Sequence, residues 1–319
     1  MPTNHGIYRK LPTTPGQRLT AGEAMVFRYG IWRIFEALKT GPFFANADDR
    51  RRAGQLEHHF RTLCQRFVFT LQQLNGLMQE LVSCHSPDRP PPVASMAIHF
   101  KAECLADHVL TYLNTMVDDV AILVVLATGF IPSKPSKAID SMGKLRGAES
   151  RDEPAFAPFK PLLVETDIPG SWWNLGFERG TGARQLMVHN QHLVGFQLSS
   201  TPGGPMEVRS VVMSPFAQKT FACVDFFGLL RDILSGLFGW LDRLEAALVA
   251  HLQTKAVGWS PHAWCPCFSL PVGYPEGMTR YDPHYFPIPL CDGSGELPWS
   301  VSVPSGNEGS ELGLTISCS

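Results

Sequence analysis

The sequence predicts a mainly α protein: an up-down helical bundle with a small β-hairpin insertion and an irregular C-terminal extension. Three observations predict it. Leu56, Phe60, Leu63, Phe67, Leu71, Leu74, Met78 and Leu81 recur at three- and four-residue steps, the period of a helix with one buried face. A second apolar stripe (Ile98, Leu105, Val109, Leu113, Met116, Val120, Leu123) follows the stiff Asp88-Arg-Pro-Pro-Pro92 connection, which cannot be helical. Two alternating runs, His192–Leu198 and Met206–Met213, flank Thr201-Pro-Gly-Gly-Pro205, the pattern of a hairpin.

Residues 1–46 form an N-terminal arm and a short helix. Residues 1–19 are polar, with Pro2, Pro12 and Pro15, and read as extended. A modest helix from Thr20 or Glu23 to Leu38 carries Met25, Ile31, Ile34, Phe35 and Leu38, and Gly41-Pro42 ends it. The bundle takes in residues 47–253, including the hairpin at 192–213. Its first long helix covers about 47–82 and its second about 94–128. Glu103, Asp107, Asn114 and Asp118 lie opposite the apolar stripe of the second helix, either as a solvated face or as the wall of a cleft. The connection 131–160 mixes Pro, Ser, Lys and Gly around a short helix at about 136–146, with a further helical turn near Leu162–Glu165. Asp167 or Ser171 caps the segment holding Trp172 and Trp173. A last helix, about 215–253, carries the stripe Phe226, Leu230, Ile233, Leu237, Leu241, Leu244 and Leu248; Gly236 and Gly239 in it allow close helix approach. Residues 254–319, rich in Pro, Gly and aromatics, form the extension, with short strands.

The bulk numbers narrow the function. A net charge of −2 offers no broad basic field for nucleic acid, so any such contact is local. The N-terminus has no apolar signal core, and the longest apolar run, Val120–Ala127, is far short of the roughly 20 residues that span a bilayer. Eight scattered cysteines, several (Cys64, Cys104, Cys223) inside helical patterns, suit a reduced chain. The expectation is a cytoplasmic protein with no membrane association and no cofactor.

Candidate chemistry gathers at Ser171–Asn190. Arg184 and His189 stand in R-x4-H spacing. In a metal-independent ribonuclease, histidine moves protons near neutral pH and arginine neutralises the phosphorane-like transition state. Five residues on an ideal helix turn through about 140°, so the two side chains converge where the helix ends or where two protomers meet. Gln185 and His189 share a face. This order, two long helices, a short helix in a lysine-containing connection, an aromatic lead-in ending in Arg184, Gln185 and His189, then a final long helix, resembles the HEPN family of four-helix-bundle proteins over about residues 55–253. The resemblance implies a catalytic pair, Arg184 and His189, supported by Glu178, Arg179, Gln185 and Asn190. It also implies an RNA substrate and a homodimer with a composite site, of the kind found in toxin–antitoxin and phage-defence settings. Gln185 stands where active members commonly carry Asn, Asp or His, and Gly180 and Gly182 interrupt the lead-in, so a non-catalytic interaction module is the competing class.

Other groupings carry less. Arg51 and Arg52 precede His58 and His59 at similar spacing, at the start of an ordinary amphipathic helix, and read as solvated charges. His262, Cys265, Cys267, His284 and Cys291 lack the C-x2–4-C spacing of zinc modules and read as packed or loop residues, so no metal is expected. Asp282-Pro-His284 reads as a turn, and Pro202–Pro205 lacks the Lys-Ser/Thr of a phosphate loop. Trp172 and Trp173 read as core, with base stacking as the sharper alternative.

Overall fold

The computed structural model describes residues 4–10, 24–44, 46–84, 93–147, 151–179, 181–185, 193–200, 206–213, 222–224, 226–261, 267–271, 299–302 and 315–318. The chain is mainly helical, its helices packed on one another, with an antiparallel hairpin. Two long helices make the frame, α2 (Ala47–Cys84) after α1 (Trp32–Thr40), and α3 (Val93–Thr128). The α3 helix doubles back along α2, so that His59, early in α2, meets Asp119, late in α3. Three short helices follow: α4 (Met142–Leu145), α5 (Lys160–Glu165) and α6 (Trp172–Gly176). A long one, α7 (Phe226–Lys255), closes the bundle.

The apolar stripes meet in one core. Phe60, Leu63, Phe67, Leu71 and Leu74 from α2 are buried with Val109, Leu113, Val120 and Leu123 from α3 and Leu230, Ile233, Leu237, Leu244 and Leu248 from α7. The Trp240 ring is fully buried and its Nε1–H donates to the Leu162 carbonyl at 2.9 Å, tying α7 to α5. Where α6 crosses α7 the backbones come close: a Cβ on Gly236 would lie 2.9 Å from Trp172 Cβ. Gly239 leaves more room. The α3 helix stops at Gly129 (φ +71°), whose N–H returns to Val125 and Leu126 carbonyls, while Lys255 Nζ donates to the Ala127 and Thr128 carbonyls. By length and composition Met96–Thr128 is apolar enough to cross a membrane, but 56% of its most apolar window is buried inside the molecule.

The strands are more numerous than the sequence predicts. The hairpin is β3 (Leu193–Ser200) with β4 (Met206–Met213), in register Leu193↔Met213 to Ser200↔Met206. A third strand, β5 (Ala222–Val224), pairs with β4. The helix predicted from 215 is thus a strand at 222–224, Cys223 included, and begins at Phe226. Within the helix predicted from Thr20 or Glu23, residues 24–29 are likewise strand. In a second sheet, β1 (His5–Lys10), β2 (Ala24–Tyr29) and β6 (Cys267–Pro271) lie in the order β1-β2-β6, all antiparallel. Pairing with two distant strands overrides the weak helical period of 24–29, and its valine and aromatic residues suit a pleated surface. The N-terminal arm is therefore part of a sheet from His5 to Lys10, and the C-terminal stretch supplies that sheet's third strand. A two-stranded pair, β7 (Trp299–Ser302) and β8 (Thr315–Cys318), lies further on. The short helix predicted at 136–146 is split: a 3-10 turn at Pro135–Lys137, extended backbone at Ala138, and α4, capped by Ser141.

A polar cleft as candidate functional site

A cleft of about 410 Å³ opens between α3, the α4 connection and α6. Asn114 and Asp118 line it from α3, Ser141, Gly143 and Arg146 from α4 and its flanks, and Trp173, Phe177, Glu178, Arg179 and Gln185 from α6 and the chain after it. Of the two readings for the polar face of α3, the wall of a cleft describes Asn114 and Asp118. Nor is the rest of that face simply solvated: burial raises the Glu103 carboxyl pKa, and Asp107 Oδ1 is buried without a hydrogen bond.

Local chemistry explains the cleft's shape. Asp118 Oδ1 accepts the Met142 N–H at 2.8 Å, which holds the start of α4 against α3. Its Oδ2 accepts from Asn114 Nδ2 at 3.0 Å, one helical turn away. Burial pushes the Asp118 carboxyl up from its ordinary range, and the Met142 N–H, Arg184 and Asn114 pull the other way. The Arg146 guanidinium is the hub of the opposite wall. Its Nε donates to Thr166 Oγ1 at 2.6 Å, and its Nη2 to Asp167 Oδ1 at 2.6 Å and Glu178 Oε2 at 3.3 Å. Its Cζ sits 4.4 Å from the Trp173 ring centre. Glu178 Oε2 also accepts the Trp173 Nε1–H at 3.1 Å. Ser171, of the two caps predicted, is the one that acts, accepting the Asn174 N–H at 3.3 Å.

The predicted site residues divide accordingly. Glu178, Arg179 and Gln185 line the cleft. Arg184 stands in the helical turn 183–185, within electrostatic reach of Asp118, and its buried Nε makes no hydrogen bond. Arg179 is exposed, with no ion pair among the described residues. His189, Asn190 and Gly180 lie outside the described residues, as do His262, Cys265, His284, Cys291 and Asp282; only the backbone of Cys267 is described. Trp172 and Trp173 are 3% and 6% exposed, in T-shaped contact with each other; they are core, Trp173 with an edge on the cleft.

The Arg51/Arg52 cluster resolves into surface pairs with Asp48 and Asp49, but His59 departs from that description. Its Nδ1 lies 2.8 Å from Asp119 Oδ2, and the Asp119 carboxylate is almost wholly buried. Burial raises the Asp119 pKa to about 6, against the pull of His59. The same burial, with Asp119 nearby, pushes the Cys64 thiol well up. Sequence reasoning passed over Asp119 and Arg146. The signal for Asp119 was available: a carboxylate one position from Val120, inside the apolar stripe. None existed for Arg146, which sits in a connection with no period.

Among the described residues, one group of metal-ligand type comes together: His5, Asp242 and Glu245. His5 Nε2 accepts the Ile31 N–H at 2.7 Å, so the ring proton sits on Nδ1, 2.7 Å from Asp242 Oδ1. No ring lone pair remains for a cation, and Arg33 Nε already donates to Glu245 Oε1 at 2.7 Å. The cluster is a lock on the N-terminal strand. Comparison with protein-family models, with curated proteins and with solved structures finds no match to the chain.

Proposed function

We propose that the chain is an HEPN-like, metal-independent RNA-cleaving protein that works as a homodimer, with the polar cleft as its RNA site. The observation that carries this reading is the pair Arg179 and Arg184. Arg179 lines the cleft, Arg184 precedes the lining residue Gln185 and lies within electrostatic reach of Asp118, and neither guanidinium is bonded to a carboxylate among the described residues. Arginine left unpaired beside a cleft suits a phosphate, which it holds through a planar fork of donors. Arg184 then neutralises charge on the phosphorane-like transition state, His189 moves the proton, and Gln185, at the cleft wall, orients the imidazole. Asp118 steadies Arg184 electrostatically. Glu178 and Arg146 hold each other and the Trp173 ring, which keeps the wall rigid. The free thiols of Cys64 and Cys104 are in keeping with a cytoplasmic setting.

The competing reading is a non-catalytic binding module on the same bundle. It is favoured by Gln185, which stands in place of the Asn, Asp or His more usual after the arginine, and by the glycine at 182 in the lead-in. One experiment separates the two. RNA cleavage by purified protein is measured in EDTA for wild type, Arg184→Ala and His189→Ala, each shown to be folded by circular dichroism. The expected result is a loss of about 100-fold or more in both variants, the scale of removing a charge-stabilising or proton-transferring group. Absence of cleavage by wild type, or equal cleavage by all three, assigns the cleft to binding alone.

A further inference from the structure

We infer that the cleft is a guanine nucleotide site, in which Asp118 reads the base while Arg179, on the cleft wall, holds the phosphate and Arg184, next to Gln185 in the chain, adds positive charge. The inference rests on the RNA reading of the same cleft and names the base it takes. At about 410 Å³ the cleft falls within the roughly 300–1,000 Å³ of small-molecule sites. The Asp118 carboxylate is fixed in plane by the Met142 N–H at 2.8 Å on one oxygen and Asn114 Nδ2 at 3.0 Å on the other. Each oxygen keeps a second lone pair, so the group presents two adjacent acceptors. Among the four RNA bases, guanine alone offers two adjacent donors on its pairing edge, the ring N1–H and the exocyclic amino group. Adenine and cytosine set a donor beside an acceptor, and uracil carries one N–H between two carbonyls. A carboxylate therefore selects guanine where an amide does not.

Charge and space agree. Arg146 and Arg151 are matched by Asp167 and Glu178, which leaves Arg179 and Arg184 against Asp118, a surplus of positive charge suited to a phosphate. Gln185, on the same wall, has an amide to meet the guanine O6. Gly143 makes an open side: a Cβ there would meet no heavy atom within 4 Å.

The test is calorimetric titration of the full chain with GMP, AMP, CMP and UMP in EDTA. GMP is expected to bind about tenfold or more tighter than the others, the worth of one two-pronged base contact. Asp118→Asn, which keeps the shape and exchanges one acceptor for a donor, is expected to erase that preference. Gly143→Leu adds bulk on the open side, where a Cβ meets nothing within 4 Å, and is expected to weaken GMP binding at least tenfold. The oligoribonucleotides AAGAA and AAAAA tell the sources apart. Preference for AAGAA assigns the site to a strand, and preference for GMP without it assigns the site to the free nucleotide; either outcome supports guanine recognition. Equal affinities in wild type, no binding of any nucleotide, a preference that survives in folded Asp118→Asn, or unchanged GMP affinity in Gly143→Leu overturns the inference. GMP preference in a chain that cuts no RNA removes the cleavage reading and leaves this one; cleavage with no guanine preference does the reverse.

Discussion

Asp119 is a single carboxylate with a consequence for the whole chain's pH response. Its pKa is raised from 3.8 to about 6, chiefly by burial, so the folded chain holds this proton more tightly than the unfolded chain does. His59 and Asp118 face it as charges of opposite sign, and the buried Cys64 thiol lies close by. The stability this group contributes is complete below about pH 4 and is lost as pH rises through 6, an effect on the order of 2–3 kcal/mol. Asp119→Asn keeps an oxygen that accepts the His59 ring proton and carries no charge to bury. Urea unfolding of both proteins from pH 4 to 7 is expected to show the variant gaining about 2–3 kcal/mol on wild type across that range. A gap that stays constant with pH rules the account out. At this scale the sequence was partly legible. The polar residues Asn114 and Asp118 stand opposite an apolar stripe, and periodicity alone marks them as a wall or a face. Arg146 was not legible, because its partners Thr166, Asp167 and Glu178 come from two segments 20 to 32 residues away, and no local pattern encodes that meeting.

Elements were legible in proportion to how far local period decides them. The α2 and α3 helices carry long stripes, and their observed bounds lie within two residues of the expected ones. Residues 24–29 and 222–224 are too short, and too apolar throughout, to fix a period; strand partners elsewhere in the chain decide their state. Glycine in α7 gives a contrast that tests the helix crossing. Ala in place of Gly236 puts a Cβ 2.9 Å from Trp172 Cβ, where neither backbone can give way. Overpacking of that kind costs about 1–3 kcal/mol, which outweighs the gain of about 1 kcal/mol in helix propensity. At Gly239 a Cβ meets only the end of the flexible Arg243 side chain, at 3.6 Å, so Ala there keeps the gain. Thermal melts are expected to move in opposite directions, Gly236→Ala down and Gly239→Ala level or up. Melts that shift together would mean that α6 does not seat against α7 as described.

The whole molecule is locked by its N-terminal strand. Composition reads residues 1–19 as an extended arm, yet His5 is fully buried and bridges two elements more than 200 residues apart. Its Nε2 accepts the Ile31 N–H at the start of α1, which no side chain of α1 caps, and its Nδ1–H meets Asp242 on α7. The Asn4 N–H donates to the same carboxylate at 2.9 Å. Beside it, Gly30 approaches so closely that a Cβ would fall 2.6 Å from both Asn4 Cβ and Glu245 Oε2. Arg33 completes the lock on Glu245. Removing the imidazole leaves a buried N–H and a half-buried carboxylate without their partner, at about 2–4 kcal/mol for the two losses together. Deleting residues 1–10 costs more, since it also strips β1 from β2 and exposes the edge that β1 covers. The order expected in denaturant melts is therefore wild type, then His5→Ala, then the deletion, with the deletion showing a lower midpoint or no cooperative transition. A free arm would leave all three midpoints equal. Because Asp242 and Glu245 lie on the helix that carries Gly236 and Trp240, loosening the lock loosens the packing behind α6, whose Trp173 forms one wall of the cleft. Guanine nucleotide affinity in the deletion variant should fall along with stability, even though no described residue before Asn114 lines the cleft.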